Sequence, residues 1–247
     1  MVADAMTYCI GVLLDDGLIF ASDSRTHASL DDFASFCKMA VFERRGDRVM
    51  VLLSSGSLAG TQAVISLLRQ RGDADDDKPN LWTATTMFDV AGLVADGMRD
   101  IERRDGEYLK ESALKFNASF ILGGQIRGEP ARLFRLYAEG NFIEASRDTP
   151  FLQTGETKYG KPIIDRVIAA DTTLADATKC VLVSFDSTIR SNLSVGMPID
   201  LLCYARDSFE VNMRCRFEPG DAYFAGLSRD WSEGIRAVFR QLPVVQW

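Results

Sequence analysis

Thr7-Tyr-Cys-Ile-Gly-Val-Leu-Leu-Asp-Asp-Gly-Leu-Ile-Phe-Ala-Ser-Asp23-Ser-Arg25 is the stretch whose reading decides the fold. Tyr8 to Leu14 and Leu18 to Ala21 are β-favouring runs split by Asp15-Asp16-Gly17, the pattern of a hairpin. A hydroxyl stands at one end of it and a carboxylate at the other, so the register decides whether they meet. A two-residue Asp16-Gly17 turn would put Asp23 on the face opposite Thr7, because one residue of slip inverts every side chain. A three-residue turn with Gly17 left-handed pairs Leu14 with Leu18 and Thr7 with Arg25. Thr7 and Asp23 then share a face, and this is the expected register.

A threonine at a strand start becomes a nucleophile without histidine when its own α-amine is free to act as base. Met6 precedes Thr7, and a start at Met6 followed by removal of the methionine would leave threonine first. An α-amine has a pKa of about 7.7–8.0, near enough to neutrality to take the hydroxyl proton. Lys38, held charged by Asp23, would lower that value further.

Downstream, Lys38 to Glu43 and Arg48 to Ser54 read as a second hairpin, so four strands are expected before the first helix, Ser57 to about Gln70. A second helix should run from Thr86 to Arg103, with Met87, Ala91, Val94, Met98 and Ile101 as its buried stripe. Strands follow at 117–126, 131–137 and 141–145. Helices follow at 159–169 and, behind the capping box Thr173-Leu-Ala-Asp176, to about Ser187. Strands 198–205 and 211–217 precede a last helix from Asp221 to Leu242. Helices in pairs exclude a doubly wound parallel sheet and suit two packed antiparallel sheets with a helix layer outside each.

A chain of 247 residues with no Pro/Ser-rich linker is long enough for one large core, and a single domain over 1–247 is expected. The net charge of −7 argues against nucleic acid or anionic lipid as partner, and no apolar run is long enough to span a membrane. Residues 1–6 have no basic region and are too short for a signal peptide, so the expected compartment is the cytoplasm. Five scattered cysteines with no Cys-x-x-Cys pair read as buried reduced thiols. The single histidine, His27, reads as a polar loop residue and leaves no His-rich metal site. Residues 72–80 read as a solvated acidic loop, with a calcium loop as the sharper alternative although an EF-hand's central glycine and closing glutamate are missing. No cofactor is called for.

Thr7, Ala21-Ser-Asp-Ser-Arg25, Lys38 and Gly56-Ser-Leu-Ala-Gly-Thr-Gln62 together resemble a proteasome β-type subunit. Met6-Thr-Tyr-Cys-Ile-Gly11, Gly155-Glu-Thr-Lys-Tyr-Gly-Lys-Pro162 and Asp186-Ser-Thr-Ile-Arg-Ser-Asn-Leu-Ser-Val-Gly196 more closely resemble the bacterial Anbu branch, the ancestral β subunit. The resemblance runs from Thr7 to the C-terminal helix. It implies the four-layer αββα sandwich of N-terminal-nucleophile hydrolases, which is also the architecture the element order suits.

The resemblance further implies a threonine-type peptidase or amidohydrolase, with residues 1–6 absent from or removed in the mature chain. It carries over Thr7 as nucleophile, Asp23 and Lys38 as the ion pair beside it, and the Gly56 amide as oxyanion donor. Thr154, Asp186 and Ser194 are carried over as support groups, with Ser191 competing for the same role. By distance from these anchors, Thr26, Phe36, Ala40, Ser54 and Leu58 would line the substrate pocket. It implies a homo-oligomer, as a ring or an open helical assembly, acting on peptides, with an ATPase or other enzyme partner unidentified. A catalytically dormant scaffold, or a small-amide hydrolase or peptide ligase of the same fold, are the competing readings.

Overall fold

The computed structural model describes residues 7–29, 32–74, 77–111 and 117–247, with the backbone alone at 26–29, 32–34 and 107–111. The first sheet contains β1 (Tyr8–Leu14), β2 (Gly17–Asp23), β10 (Phe151–Gly155), β11 (Ile199–Ala205) and β12 (Met213–Phe217), in the order β10-β1-β2-β11-β12. The second contains β5 (Met39–Arg44), β6 (Arg48–Gly56), β7 (Ala118–Ile126), β8 (Arg132–Leu136) and β9 (Phe142–Glu144), in that order. All strand pairs in both sheets are antiparallel. A two-stranded sheet of β3 (Arg25–Ser29) and β4 (Asp32–Ser35) stands apart, so among the described residues six strands rather than four precede the first helix. Its polar sequence carries no apolar alternation, which is why the pattern did not announce it.

Three apolar layers follow from period-two alternation on strands buried on both faces. Tyr8, Ile10, Val12 and Leu14 of β1 face α3 (Lys161–Val167) and α4 (Leu174–Ser191), where they meet Ile164, Val181 and Phe185. Cys9, Phe20, Val51, Ile121 and Leu133 fill the space between the sheets. The outer face of the second sheet packs on α1 (Leu58–Asp73) and α2 (Met87–Glu111), through Leu52, Phe120, Val64 and the expected stripe Met87, Ala91, Val94, Met98 and Ile101. Each fully buried aliphatic or aromatic side chain of this kind contributes about 1.5–3 kcal/mol. The last helix, α5 (Ala222–Gln241), is capped by the Asp221 carboxylate, and Phe224 ties it to the α3/α4 side. No helix among the described residues is long and apolar enough to cross a membrane.

Several boundaries differ from the periodicity, α1 for instance running on to Asp73. Residues 104–111, free of proline and rich in Arg, Glu, Leu and Lys, carry α2 beyond Arg103. The α3 helix is shorter than expected because Pro162 opens it, a residue at home only in a helical first turn. Thr188, Ile189, Arg190 and Ser191 contain no breaker, and the Asn192 N–H closes α4 on the Thr188 carbonyl.

Candidate active site

The observed hairpin pairs Leu14 with Gly17 and Cys9 with Ser22. The turn is therefore the two residues Asp15-Asp16, and alternation puts Thr7 and Asp23 on opposite faces, which overturns the expected register. Gly17 belongs to the strand: a Cβ there would lie 2.0 Å from the Tyr204 carbonyl, so the glycine serves the close approach of β11 instead of a third turn position.

What joins Asp23 to Thr7 is a bond at the strand end. Asp23 Oδ1 accepts the Tyr8 N–H at 3.0 Å, one residue from Thr7, and accepts Lys38 Nζ at 2.8 Å. Lys38 Nζ also donates to the Arg25 carbonyl at 2.7 Å. Two of its three protons are thus taken, and the third meets no acceptor among the described residues. All three groups are shielded: Thr7 is 5% exposed, Asp23 0% and Lys38 6%. Burial pushes the Asp23 carboxyl above its usual range, opposed by the Lys38 charge and hydrogen bond and by the Tyr8 and Gly196 amides that face it.

Gly56 closes β6 with φ +95°, and a Cβ would lie 2.0 Å from the Asn117 carbonyl. Glycine is thus required by the start of β7 as well as by any ligand approach. Ser57 then caps α1, its Oγ accepting the Gly60 N–H. Thr154 lies opposite Cys9, and its Oγ1 shares a 2.8 Å hydrogen bond with Ser55 Oγ, tying the two sheets together next to Gly56. Its strand, β10, is held by pairing with β1, while Gln153, Thr154 and Gly155 break the apolar pattern that would mark it as a strand along the chain.

Asp186 and Ser191 lie on α4. Asp186 is buried and paired with Arg190, one turn on, at 3.2 Å from both carboxylate oxygens, while Ser191 is exposed. On α4, Ser184 reaches the start of β1, its hydroxyl 3.0 Å from Tyr8 Oη. Ser194 lies beyond the helix and donates its N–H to Asn192 Oδ1 at 2.9 Å. Glu156, Asn192 and Gly196 also converge on the site. The sequence displayed Glu156 only as part of the motif beginning at Gly155; nothing local showed that its carboxylate is buried.

Around Lys38, Ala40 is buried beneath α1 and α2, and Ser54 is buried with its Oγ donating to the Lys38 carbonyl at 3.3 Å. Leu58 opens α1 half-buried, and Phe36 is 37% exposed. Thr26 pairs with Ala34 between β3 and β4, its side chain outside the described residues. His27 stands on strand β3 instead of in a loop, and its side chain too lies outside them. Cys9, Cys180 and Cys203 are buried as expected, whereas Cys37 and Cys215 are exposed. Cys37 belongs to no strand, and Cys215 lies on β12, the edge strand of the first sheet, in its exposed stretch 213–216. Burial pushes the Cys9 thiol far above its usual range, so beside Lys38 it is neutral and inert. Asp75 and Asp76 of the acidic loop lie outside the described residues, among which no group of three or more His, Cys, Asp or Glu could hold a metal ion.

No family model and no curated protein matches the chain. Solved structures do. A mutant of Anbu from Hyphomicrobium sp. strain MC1 superposes with a TM-score of 0.89 at 48% identity, over 95% of this chain and 98% of that one. Anbu, the ancestral beta-subunit, from Yersinia bercovieri gives a TM-score of 0.91 at 45% identity over 97% and 99% of the two chains. A helical assembly of the Anbu complex from Pseudomonas aeruginosa gives 0.91 at 47% identity over 97% and 98%. With that identity sustained over nearly the whole length, and with the same sandwich of two antiparallel sheets between helix layers, the chain belongs to the Anbu family of proteasome-β-like proteins.

Proposed function

We propose that this chain is a self-assembling threonine-type amide hydrolase acting on peptides, with Thr7 as the N-terminal nucleophile. The observation that carries the reading is the buried Lys38–Asp23 pair, bonded to the amide next to Thr7. Burying two charges costs several kcal/mol, and one partner left alone about 3–5 kcal/mol, so a pair in such a place suits a use for the charge. In the proposed reaction the free Thr7 amine takes the Oγ proton as Oγ attacks the carbonyl carbon. The Gly56 amide receives the developing oxyanion, and the amine then protonates the departing nitrogen. Water, deprotonated by the same amine, hydrolyses the ester and releases Thr7. The Lys38 ammonium keeps the amine neutral by repulsion. Thr154 steadies the Gly56 turn through Ser55, and Ser194 supports the amine side; Asp186, paired with Arg190, stiffens α4.

Acylation tests the chemistry. A peptide epoxyketone or β-lactone should add its mass at Thr7 of the wild type and not of Thr7→Ala. Intact mass of protein from its native gene should show Thr7 as the first residue. A chain that keeps Val2 to Met6 in front of Thr7 would overturn the reading for that form, since its amine is then an amide.

Assembly is the second part of the proposal, supported by the helical assembly named for the Pseudomonas aeruginosa relative and by the apolar side chains Val238, Phe239 and Leu242 left exposed on and after α5. The whole chain would act as one cytoplasmic unit in an open turn or ring. Sedimentation showing only monomer at micromolar concentration would remove that part and leave the nucleophile untouched.

A further inference from the structure

Glu156 is a carboxylate only 4% exposed that the proposed chemistry does not use. Its N–H donates to the Thr7 carbonyl at 2.7 Å, continuing the β1–β10 ladder one step beyond the pair Tyr8–Gly155. Its side chain is bonded at both oxygens: Oε2 accepts Asn192 Nδ2 at 3.0 Å and Oε1 accepts the Lys158 N–H at 3.2 Å. Asn192 closes α4 and organises the loop that follows. Its Oδ1 accepts the Ser194 N–H at 2.9 Å and its carbonyl the Val195 N–H at 3.2 Å. One residue further, the Gly196 amide faces the Asp23 carboxylate, which in turn accepts the Tyr8 N–H. The hydrogen bonds thus run from the Thr7 carbonyl through Glu156 and Asn192 into the loop at Ser194 and Val195. A buried carboxylate is costly unless its oxygens are satisfied, and these are satisfied by groups of the loop and the motif turn.

We propose that Glu156 is a positioning residue of the Thr7 site, clamping residues 192–196 against Thr7 through Asn192. The inference rests on the reading of Thr7 as nucleophile. A displacement of about 1 Å at a reacting group is enough to cost on the order of 100-fold in rate, so loosening the clamp acts on the chemical step while the pocket that binds the substrate stays in place.

The test is inactivation by a peptide β-lactone, resolved into kinact and KI. Glu156→Ala should lower kinact about 10–100-fold, with KI changed less than about threefold. Glu156→Gln keeps an acceptor oxygen for Asn192 and should recover kinact to within about threefold of wild type. Asn192→Ala should match Glu156→Ala, and the double variant should lose no more than either, as expected for two residues of one unit. Amide hydrogen exchange on the same full-length proteins reads the clamp without chemistry. Protection across 192–197 should fall in both alanine variants while β6 and β7 keep theirs. A wild type inert to the lactone sinks the nucleophile, and the exchange arm then decides the clamp alone. Wild-type kinact in Glu156→Ala, losses that multiply in the double variant, or unchanged exchange at 192–197 would overturn it.

Discussion

Replacing Lys38 by methionine keeps most of the length and the apolar stem of the side chain and deletes the ammonium group, with its hydrogen bonds to Asp23 and to the Arg25 carbonyl. Asp23 is then left fully buried, with the Tyr8 N–H at 3.0 Å as its bonded donor and the Gly196 amide facing it. Removing one partner of a buried pair costs about 3–5 kcal/mol. At roughly 2–4 °C per kcal/mol for a chain of this size, Tm should fall by about 6–20 °C at pH 8. The loss must depend on pH in one direction. Burial already raises the Asp23 pKa, and Lys38 is the strongest influence opposing that rise, so its removal raises the pKa further. A carboxyl whose folded pKa is raised holds its proton more tightly folded than unfolded. Its contribution is fully present below the unfolded value of about 3.9 and is lost as pH rises through the folded one. The Tm deficit against wild type should therefore shrink between pH 8 and pH 5. The nearby Cys9 thiol, neutral throughout this window, adds no titration of its own. Asp23→Asn in the Lys38→Met background removes the stranded charge, and should recover at least half of the pH 8 deficit and flatten its pH dependence. Thermal unfolding of the wild type, Lys38→Met and the double variant from pH 5 to 8 makes the measurement. Equal deficits at pH 5 and pH 8, or a double variant no better than Lys38→Met, would refute the reasoning.

Gly56→Ala should destabilise by about 1–3 kcal/mol, because the left-handed backbone and the Asn117 carbonyl both oppose a Cβ; a stability within 0.5 kcal/mol of wild type, on the order of experimental error, would show that the turn relaxes. The pocket implied by Phe36, Ala40, Ser54 and Leu58 holds no carboxylate or arginine among those four side chains. A medium apolar residue such as leucine before the scissile bond should thus be favoured over alanine by about 1–3 kcal/mol in kcat/KM. Ser54→Phe, at a buried position behind Lys38, should restrict that site to small side chains, and a substrate panel in which lysine or glutamate reacts fastest would discard the pocket.

The sequence by itself determined the elements that are written in short-range pattern. The Tyr8–Leu14 and Leu18–Ala21 runs, the stripe of α2, the Thr173 cap of α4 and the paired helices were enough to state two antiparallel sheets between helix layers, because alternation and helical spacing depend only on neighbours along the chain. It also supplied Thr7, Asp23, Lys38 and Gly56 as residue types in family order. Only the tertiary structure decided the register of the first hairpin, since Gly17 answers to the Tyr204 carbonyl and not to its own turn. It likewise added β10, which lacks a pattern of its own and is made a strand by β1, and gave Asp186 to Arg190 while bringing Glu156 to Thr7 and Asn192. Glu156 and Asn192 are 36 positions apart in the chain, and whether such a carboxylate is buried or solvated is set by which strands and loops pack together, a property that no local stretch of residues contains.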